Sequence, residues 1–316
     1  MPCLRCAQDE VQGSGVAVAV SSLLVAALLI ANPMLKPGDH TRNLKVDGRD
    51  RSYLVHIPKK YDGKTPMPIV LALHGAAMNG PMMSVFCGLN KKADDAGFIV
   101  VYPNGGTGMG IFLTWNAGGR AGKDRVDDVA YIRAALDDLG SVVKVDPKRV
   151  YATGMSNGGM MCYLLAAELS DRIAAVAPVA GTMVIEKANP KRPVPLIHFH
   201  GTADTLVKFD GPGKGTPKFI HFKSVEDSIQ TWVKIDGCDE KPEIVSLPDK
   251  AKDGTAIERK TYGHGKDGAE VVLVVIKGGG HTWPGQEPPV DFIGKSTKNI
   301  TANDLIWEFF KKHPMP

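Results

Sequence analysis

Tyr151-Ala152-Thr153-Gly154-Met155-Ser156-Asn157-Gly158-Gly159 is the stretch that decides how this chain is read. Val150-Tyr151-Ala152, following Lys148-Arg149, is a run of β-type residues ended by glycine and predicts a buried parallel strand. Beyond it, Met160, Met161, Tyr163, Leu164, Leu165 and Leu169 form an apolar helical stripe. Gly-x-Ser-x-Gly between a strand and a helix is what holds a serine on a sharp turn, its hydroxyl above the sheet. Gly154 and Gly158 let that turn close and let the helix pack against its strand. Asn157 falls at the helix start, where free N–H groups and the positive end of the dipole favour a developing oxyanion. The pentapeptide alone is weak, because a plain strand–turn–helix connection with an exposed serine can carry the same letters.

A serine hydroxyl needs a base, and the base needs an orienting carboxylate. In an open parallel sheet those groups belong just past the C-terminal ends of strands. Leu196-Ile197-His198-Phe199-His200-Gly201-Thr202-Ala203-Asp204 runs out of an apolar strand, with Asp204 beyond it. Val274-Val275-Ile276-Lys277-Gly278-Gly279-Gly280-His281-Thr282-Trp283-Pro284-Gly285 delivers His281 on a glycine-rich loop. The order Ser156, Asp204, His281 is the one that accompanies the nucleophile-elbow fold. Asp210 and Asp236 are weaker candidates for the acid, since neither directly follows a strand and a His-Gly turn. His198 and His200 share one strand face, but the metal pair they suggest has no further ligand at metal spacing nearby, so no metal or other cofactor is expected. Asn157 N–H is the first expected oxyanion donor and Ala76 N–H, on the turn after His74-Gly75, the second. Trp283, Trp115 and Met155 are read as substrate contacts, with loop anchoring in the core as the alternative for the tryptophans. Asp127-Asp128 reads as a helix N-terminal charge pair.

The rest of the chain fits one α/β catalytic domain over residues 41–316. Thr41–Val46 and Ser52–Ile57 predict an antiparallel hairpin turning at Asp47-Gly48. Ile69–Leu73 and Phe98–Tyr102 are apolar enough for strands buried on both faces, separated by a helical segment through Ala93. Helices are expected over Asp127–Val142, Ser224–Ile235 and Ile300–Lys311. Further strands are expected over Ile173–Val179, Pro195–His200, Ile244–Leu247, Ile257–Tyr262 and Glu270–Ile276. The alternation implies a doubly wound, mostly parallel sheet with the antiparallel hairpin at one edge. With 316 residues, 43% of them hydrophobic, the chain has room for one sizeable core and not for two generous ones. A net charge of +4 without a basic block gives nucleic-acid binding no support.

Residues 1–36 are set apart. Val16 to Ala31 is an uncharged apolar stretch that suits a secretory leader better than a full bilayer span. Secretion or periplasmic export is the expectation, with a membrane anchor holding the catalytic domain outside as the alternative. A Cys87–Cys238 disulfide is left open, and Cys162 reads as a buried free thiol.

The motifs around Ser156, Asp204 and His281, together with Val126-Asp127-Asp128-Val129 and Trp115-Asn116, resemble the polyhydroxybutyrate depolymerase-like esterases. This α/β-hydrolase group includes carbohydrate esterase family 1 feruloyl and acetyl xylan esterases. The resemblance runs from about Lys45 to the C-terminus. It implies an α/β-hydrolase fold and a serine carboxylesterase with Ser156 as nucleophile, Asp204 as acid, His281 as base and the residue after His74-Gly75 as an oxyanion donor. Many relatives carry cysteine where this chain has Ala76, and another in the stretch here reading Tyr262-Gly263-His264-Gly265, which leaves Cys238 without the implied partner. Dedicated extracellular polyester depolymerases add a linker and a polymer-adsorbing domain for which this chain leaves no room. Soluble or oligomeric esters, of plant polysaccharides or polyhydroxyalkanoates, are therefore the expected substrates. A serine peptidase of the same fold and a catalytically silent glycan- or polyester-binding protein are the rival readings.

Overall fold

The structure is a computed structural model that describes residues 33–118, 126–213 and 222–316. Most of the segment expected to be a leader or anchor, with Cys3 and Cys6, lies outside the described residues, as do parts of the Gly118–Gly122 and Gly211–Pro217 loops.

Asp47 and Gly48 both take positive φ, 49° and 75°, the turn that matches the twist of a two-stranded ribbon. They join β1 (Gly38–Val46) to β2 (Arg49–Ile57) in antiparallel register. β3 (Met67–Leu73) and β4 (Ile99–Pro103) are almost wholly buried, as their unbroken apolar runs require. The helical segment between them is two helices, α1 (Gly80–Cys87) and α2 (Leu89–Ala96), broken where Gly88 turns left-handed with φ 62°. A small hairpin, β5 (Thr107–Met109) with β6 (Phe112–Thr114), follows β4. Glycines at 108 and 110 interrupt the alternation that would mark these strands in the sequence.

α3 (Asp128–Val142) is capped by the Asp127 carboxylate, which accepts from Ala130 N. β7 (Val145–Met155) and α4 (Asn157–Glu168) form the Ser156 unit. β8 (Val176–Val179), β9 (Leu196–Gly201), α5 (Val225–Asp236), β10 (Glu243–Ser246), β11 (Ala256–Tyr262), β12 (Val271–Lys277) and α6 (Ala302–Lys312) complete the order.

The ten-stranded sheet runs β1-β2-β4-β3-β7-β8-β9-β12-β11-β10. From β4 to β12 every neighbouring pair is parallel. Antiparallel strands flank both edges, where the sequence placed them at one only. The reason is connection length: a parallel neighbour needs a helical crossover, and the chain between β10, β11 and β12 contains none. Alternate residues of the strands feed two cores. Ile69, Leu71 and Leu73 meet α3, α4 and α5 on one face, while Val70 and Ala72 meet α1, α2 and α6 on the other. The fold is that of an α/β-hydrolase.

Cys87 lies in the second core and Cys238 in the first, so the sheet separates them and the disulfide left open above does not form. Cys87, Cys162 and Cys238 are all free and buried.

Asp236, once a rival for the catalytic acid, ends α5 beside Val194, just before β9 and at the opposite end of that strand from Asp204. Its Oδ1 accepts from Val194 N at 3.0 Å, while buried Oδ2 has no partner among the described residues. Burial pushes this carboxyl from 3.8 up to about 7, against the opposing Val194 N–H and the nearby Arg192 charge. Between roughly pH 4 and 7 the folded state therefore keeps a proton that the unfolded chain has lost, and stability falls as pH rises. Asp236→Asn is expected to raise Tm at pH 8 by about 2–4 °C and by clearly less at pH 5, as read by thermal melts at both pH values.

Candidate active site

Ser156 stands between β7 and α4 with φ 56° and ψ −116°, a conformation that L residues enter only under constraint. Its N–H donates to Val179 O on the neighbouring strand and its carbonyl accepts from Met160 N, both at 2.9 Å. A Cβ at Gly158 would collide with the carbonyls of Leu73 and His74, so the helix start can lie against the end of β3 only with glycine there. That close approach brings the His74 turn over the serine: a Cβ on Gly75 would stand 3.7 Å from Ser156 Cβ.

The turn itself is held from behind. Gly105 N donates to His74 Nε2 at 2.9 Å, so the ring's proton sits on Nδ1, which donates to Gly75 O at 2.7 Å. Burial pulls the imidazole down to about 4, with the Gly75 bond opposing, so His74 is neutral at ordinary pH. Trp115 Nε1 donates to His74 O at 3.0 Å and the two rings lie 4.9 Å apart. Ala76 and Ala77 follow, both exposed, with Ala77 at φ 58°. Among the described residues neither the Ala76 nor the Asn157 backbone N–H has an acceptor.

Asn157 does more than supply an amide. Its Oδ1 accepts from Thr114 Oγ1 at 2.8 Å and from Trp115 N at 2.6 Å, which ties the end of the β5–β6 hairpin to the elbow. Asp128 holds the same segment from the other side. It is buried, pairs with Arg51 at 2.6 Å, and accepts from Gly106 N at 3.0 Å and Asn116 N at 2.8 Å. The charge pair assigned to a helix end is thus divided, Asp127 capping the helix and Asp128 bracing residues 106–116.

The acid and base loops are joined directly. Asp204 Oδ2 accepts from His281 Nδ1 at 2.7 Å, leaving His281 Nε2 with a lone pair. Asp204 Oδ1 accepts from Leu206 N and Val207 N, each at 2.9 Å, and His200 Nε2 lies 3.4 Å from Oδ2. Burial would push this carboxyl up, yet the neighbouring His200 and His281 rings outweigh it and hold it well below the usual carboxylate range. Ala203 N donates to Gly279 O at 2.9 Å, and His281 N donates to Ile293 O at 2.6 Å, fixing both loops. The chain ends of β7, β9 and β12 open to one side of the sheet, and Ser156, Asp204 and His281 follow them there. Ser156 Oγ makes no hydrogen bond among the described residues.

The expected substrate wall needs correction. Trp283 is only 1% exposed and its Nε1 donates to Asn303 Oδ1 at 2.8 Å, while Asn303 Nδ2 reaches Cys87 O, so this indole anchors the His281 loop to α6. Trp115, 3% exposed, braces the His74 turn, and Met155, 3% exposed, faces the core on the far side of the sheet. Each is large and apolar, and the interior takes it for the same reason a substrate wall would. The ring nitrogens of His198 and His200 are engaged by Tyr163, by each other and by Val207 O. Sequence reasoning missed the bracing by His74, Asp128 and the Asn157 side chain; polar residues flanking a glycine-rich segment were the available sign.

The fold is that of an α/β-hydrolase, and the chain is a carboxylic ester hydrolase. The family model for "Esterase PHB depolymerase" matches residues 51–208, and the chain belongs to this family. It is 34% identical over 289 residues to "Putative esterase NocK" of Nocardia uniformis subsp. tsuyamanensis, covering 85% of this chain and 81% of that one. It is 32% identical over 241 residues to feruloyl esterase B of Piromyces equi, covering 73% of this chain but 42% of that protein. Among solved structures, acetyl xylan esterase from Aspergillus awamori superposes with a TM-score of 0.60 at 16% identity, over 86% of this chain and 99% of that one, a likeness of fold.

Asn157→Ala keeps the backbone amide but removes the tie to Thr114 and Trp115. It is expected to destabilise the protein by about 1–2 kcal/mol and to speed proteolytic cleavage within residues 107–116. Denaturant melts and limited proteolysis would check both.

Proposed function

We propose that this protein is a serine esterase working through Ser156, His281 and Asp204. The observation that carries the reading is the 2.7 Å bond from His281 Nδ1 to the Asp204 carboxylate, presented on the same side of the sheet as a serine held at positive φ. His281 Nε2 takes the Ser156 proton as Oγ attacks the ester carbonyl carbon. The N–H groups of Asn157 and Ala76 receive the oxyanion. On collapse the C–O bond to the alcohol breaks and His281 returns the proton to the departing oxygen. Water, deprotonated by His281, then attacks the acyl-enzyme, and Ser156 leaves with that proton as the acid is released. Asp204 keeps the imidazole in the required tautomer and stabilises its protonated form. No step calls for a cofactor.

For substrate, we favour feruloyl or acetyl esters of polysaccharides and short hydroxyalkanoate oligomers. Apolar side chains support an acyl group with apolar surface: Met109, Ile111 and Phe112 on the hairpin, Leu206 beside the acid and Phe292 beside the base loop are all more than half exposed. The names of the relatives, feruloyl esterase and acetylxylan esterase, point the same way. The Val16–Ala31 run supports export of the protein, and N-terminal sequencing of the chain after expression with and without a secretion pathway would test this. No helix among the described residues is long and apolar enough to cross a membrane.

Ser156→Ala is expected to lower p-nitrophenyl acetate turnover by about 10³-fold or more and to abolish labelling by a fluorophosphonate, with Tm unchanged. Retained turnover in that variant overturns the assignment. Rates on methyl ferulate, acetylated xylan and 3-hydroxybutyrate oligomers would rank the substrates. Faster cleavage of dipeptide amides than of any ester in that panel would replace the esterase reading with a peptidase.

A further inference from the structure

A run of buried polar side chains leads away from Asp204 and is used by no step above. His198 and His200 alternate onto one face of β9, with ring planes 2° apart and His198 Nε2 3.0 Å from His200 Nδ1. Tyr163 OH, from α4, lies 2.9 Å from His198 Nδ1. At the other end His200 Nε2 lies 2.7 Å from Val207 O and 3.4 Å from Asp204 Oδ2, the oxygen that accepts the hydrogen bond from His281 Nδ1. Tyr163, His198 and His200 are at most 1% exposed.

One end of the run fixes every hydrogen in it. Val207 O can only accept, so His200 carries its proton on Nε2. Its Nδ1 is then the acceptor for His198 Nε2–H, and His198 Nδ1 accepts from the Tyr163 hydroxyl. A second proton on His198 would put a charge in a dry interior. Burial and the facing His200 indeed hold the His198 ring well below its ordinary value. The run is therefore directional, Tyr163 to His198 to His200, and its outlet is the acid loop.

We propose that His200 is a positioning residue for Asp204, and that Tyr163 and His198 fix which way its ring faces. The inference rests on Asp204 and His281 being the acid–base pair. Residues 204–207 fold around Oδ1 through the Leu206 and Val207 amides; His200 closes the turn from the strand side by donating to Val207 O, which also sets its N–H dipole 3.4 Å from Oδ2. With that dipole gone from beside Oδ2, the carboxylate is more basic and the imidazolium is better stabilised. The acid limb of the kcat/KM profile then moves to higher pH, while a loosened turn lowers kcat. His200 is 1% exposed and bonded away from the solvent side, so KM is unaffected. The titratable groups facing His200 are His198 on its own strand and Asp204 on the loop, with Tyr163 from α4 behind His198 and His281 across the carboxylate.

The test pairs two polar substitutions. His200→Asn keeps an acceptor for His198 but cannot reach Val207 O; His200→Gln keeps an N–H at the outward position. With p-nitrophenyl acetate, His200→Asn is expected to lose about tenfold in kcat, keep KM within about twofold and shift its acid limb up by about 0.5 pH unit. His200→Gln recovers most of both. Tyr163→Phe, which deletes one hydroxyl, shifts the limb the same way by less, and decides the matter if His200→Asn does not fold. Unmoved limbs in His200→Asn or Tyr163→Phe, or equal losses in His200→Asn and His200→Gln, overturn the proposal. Fluorophosphonate labelling of the unmodified enzyme separates this from the catalytic reading itself: an unlabelled Ser156 sinks both, whereas normal labelling with indifferent His200 variants sinks only this one.

Discussion

One backbone conformation governs the arrangement around it: Ser156 is held at φ 56° between a buried strand and a buried helix. A strained residue persists only where its surroundings leave no alternative. Here the ladder bond to Val179, the Met160 amide and the glycine at 158 supply that compulsion from the neighbouring strand, the helix and the end of β3. The His74 turn, the hairpin after β4 and the acid loop then need only reach the same end of the sheet. Their lengths and compositions differ, but each is tied by hydrogen bonds to a rigid strand or to the elbow itself.

The site accordingly separates presenting groups from bracing groups. Ser156 and His281 follow the ends of β7 and β12, and the Ala76 and Asn157 amides have no acceptor among the described residues. Behind them stand His74, Asp128, Trp115, Trp283 and the His200 run, all buried and nearly all with their polar atoms matched. Unmatched, such groups would cost about 1–3 kcal/mol each; matched, they fix the loops in one arrangement. Glycine-rich loops can thus carry chemistry without the looseness that glycine brings to a free chain.

Much of the fold was legible in the residues. Continuous apolar runs at Ile69–Leu73 and Phe98–Tyr102 told of burial on both faces, and Asp47-Gly48 marked the hairpin. The contact between Asp204 and His281 was legible too, because each follows a strand whose direction the parallel sheet dictates. What the sequence withheld were matters of local partnership. It could not tell the buried face of Trp283 from a wall, since an indole buries equally well against protein or ligand. Nor could it foresee that β10 and β11 pair antiparallel, because strand order depends on what the intervening chain can span. The hairpin at 107–114 was hidden by its own glycines.

The sheet also partitions the thiols. Cys87 is sealed on one face, Cys162 and Cys238 on the other, and each is free. The described fold therefore draws none of its persistence from a covalent crosslink. A reducing environment therefore has no disulfide among the described residues to open.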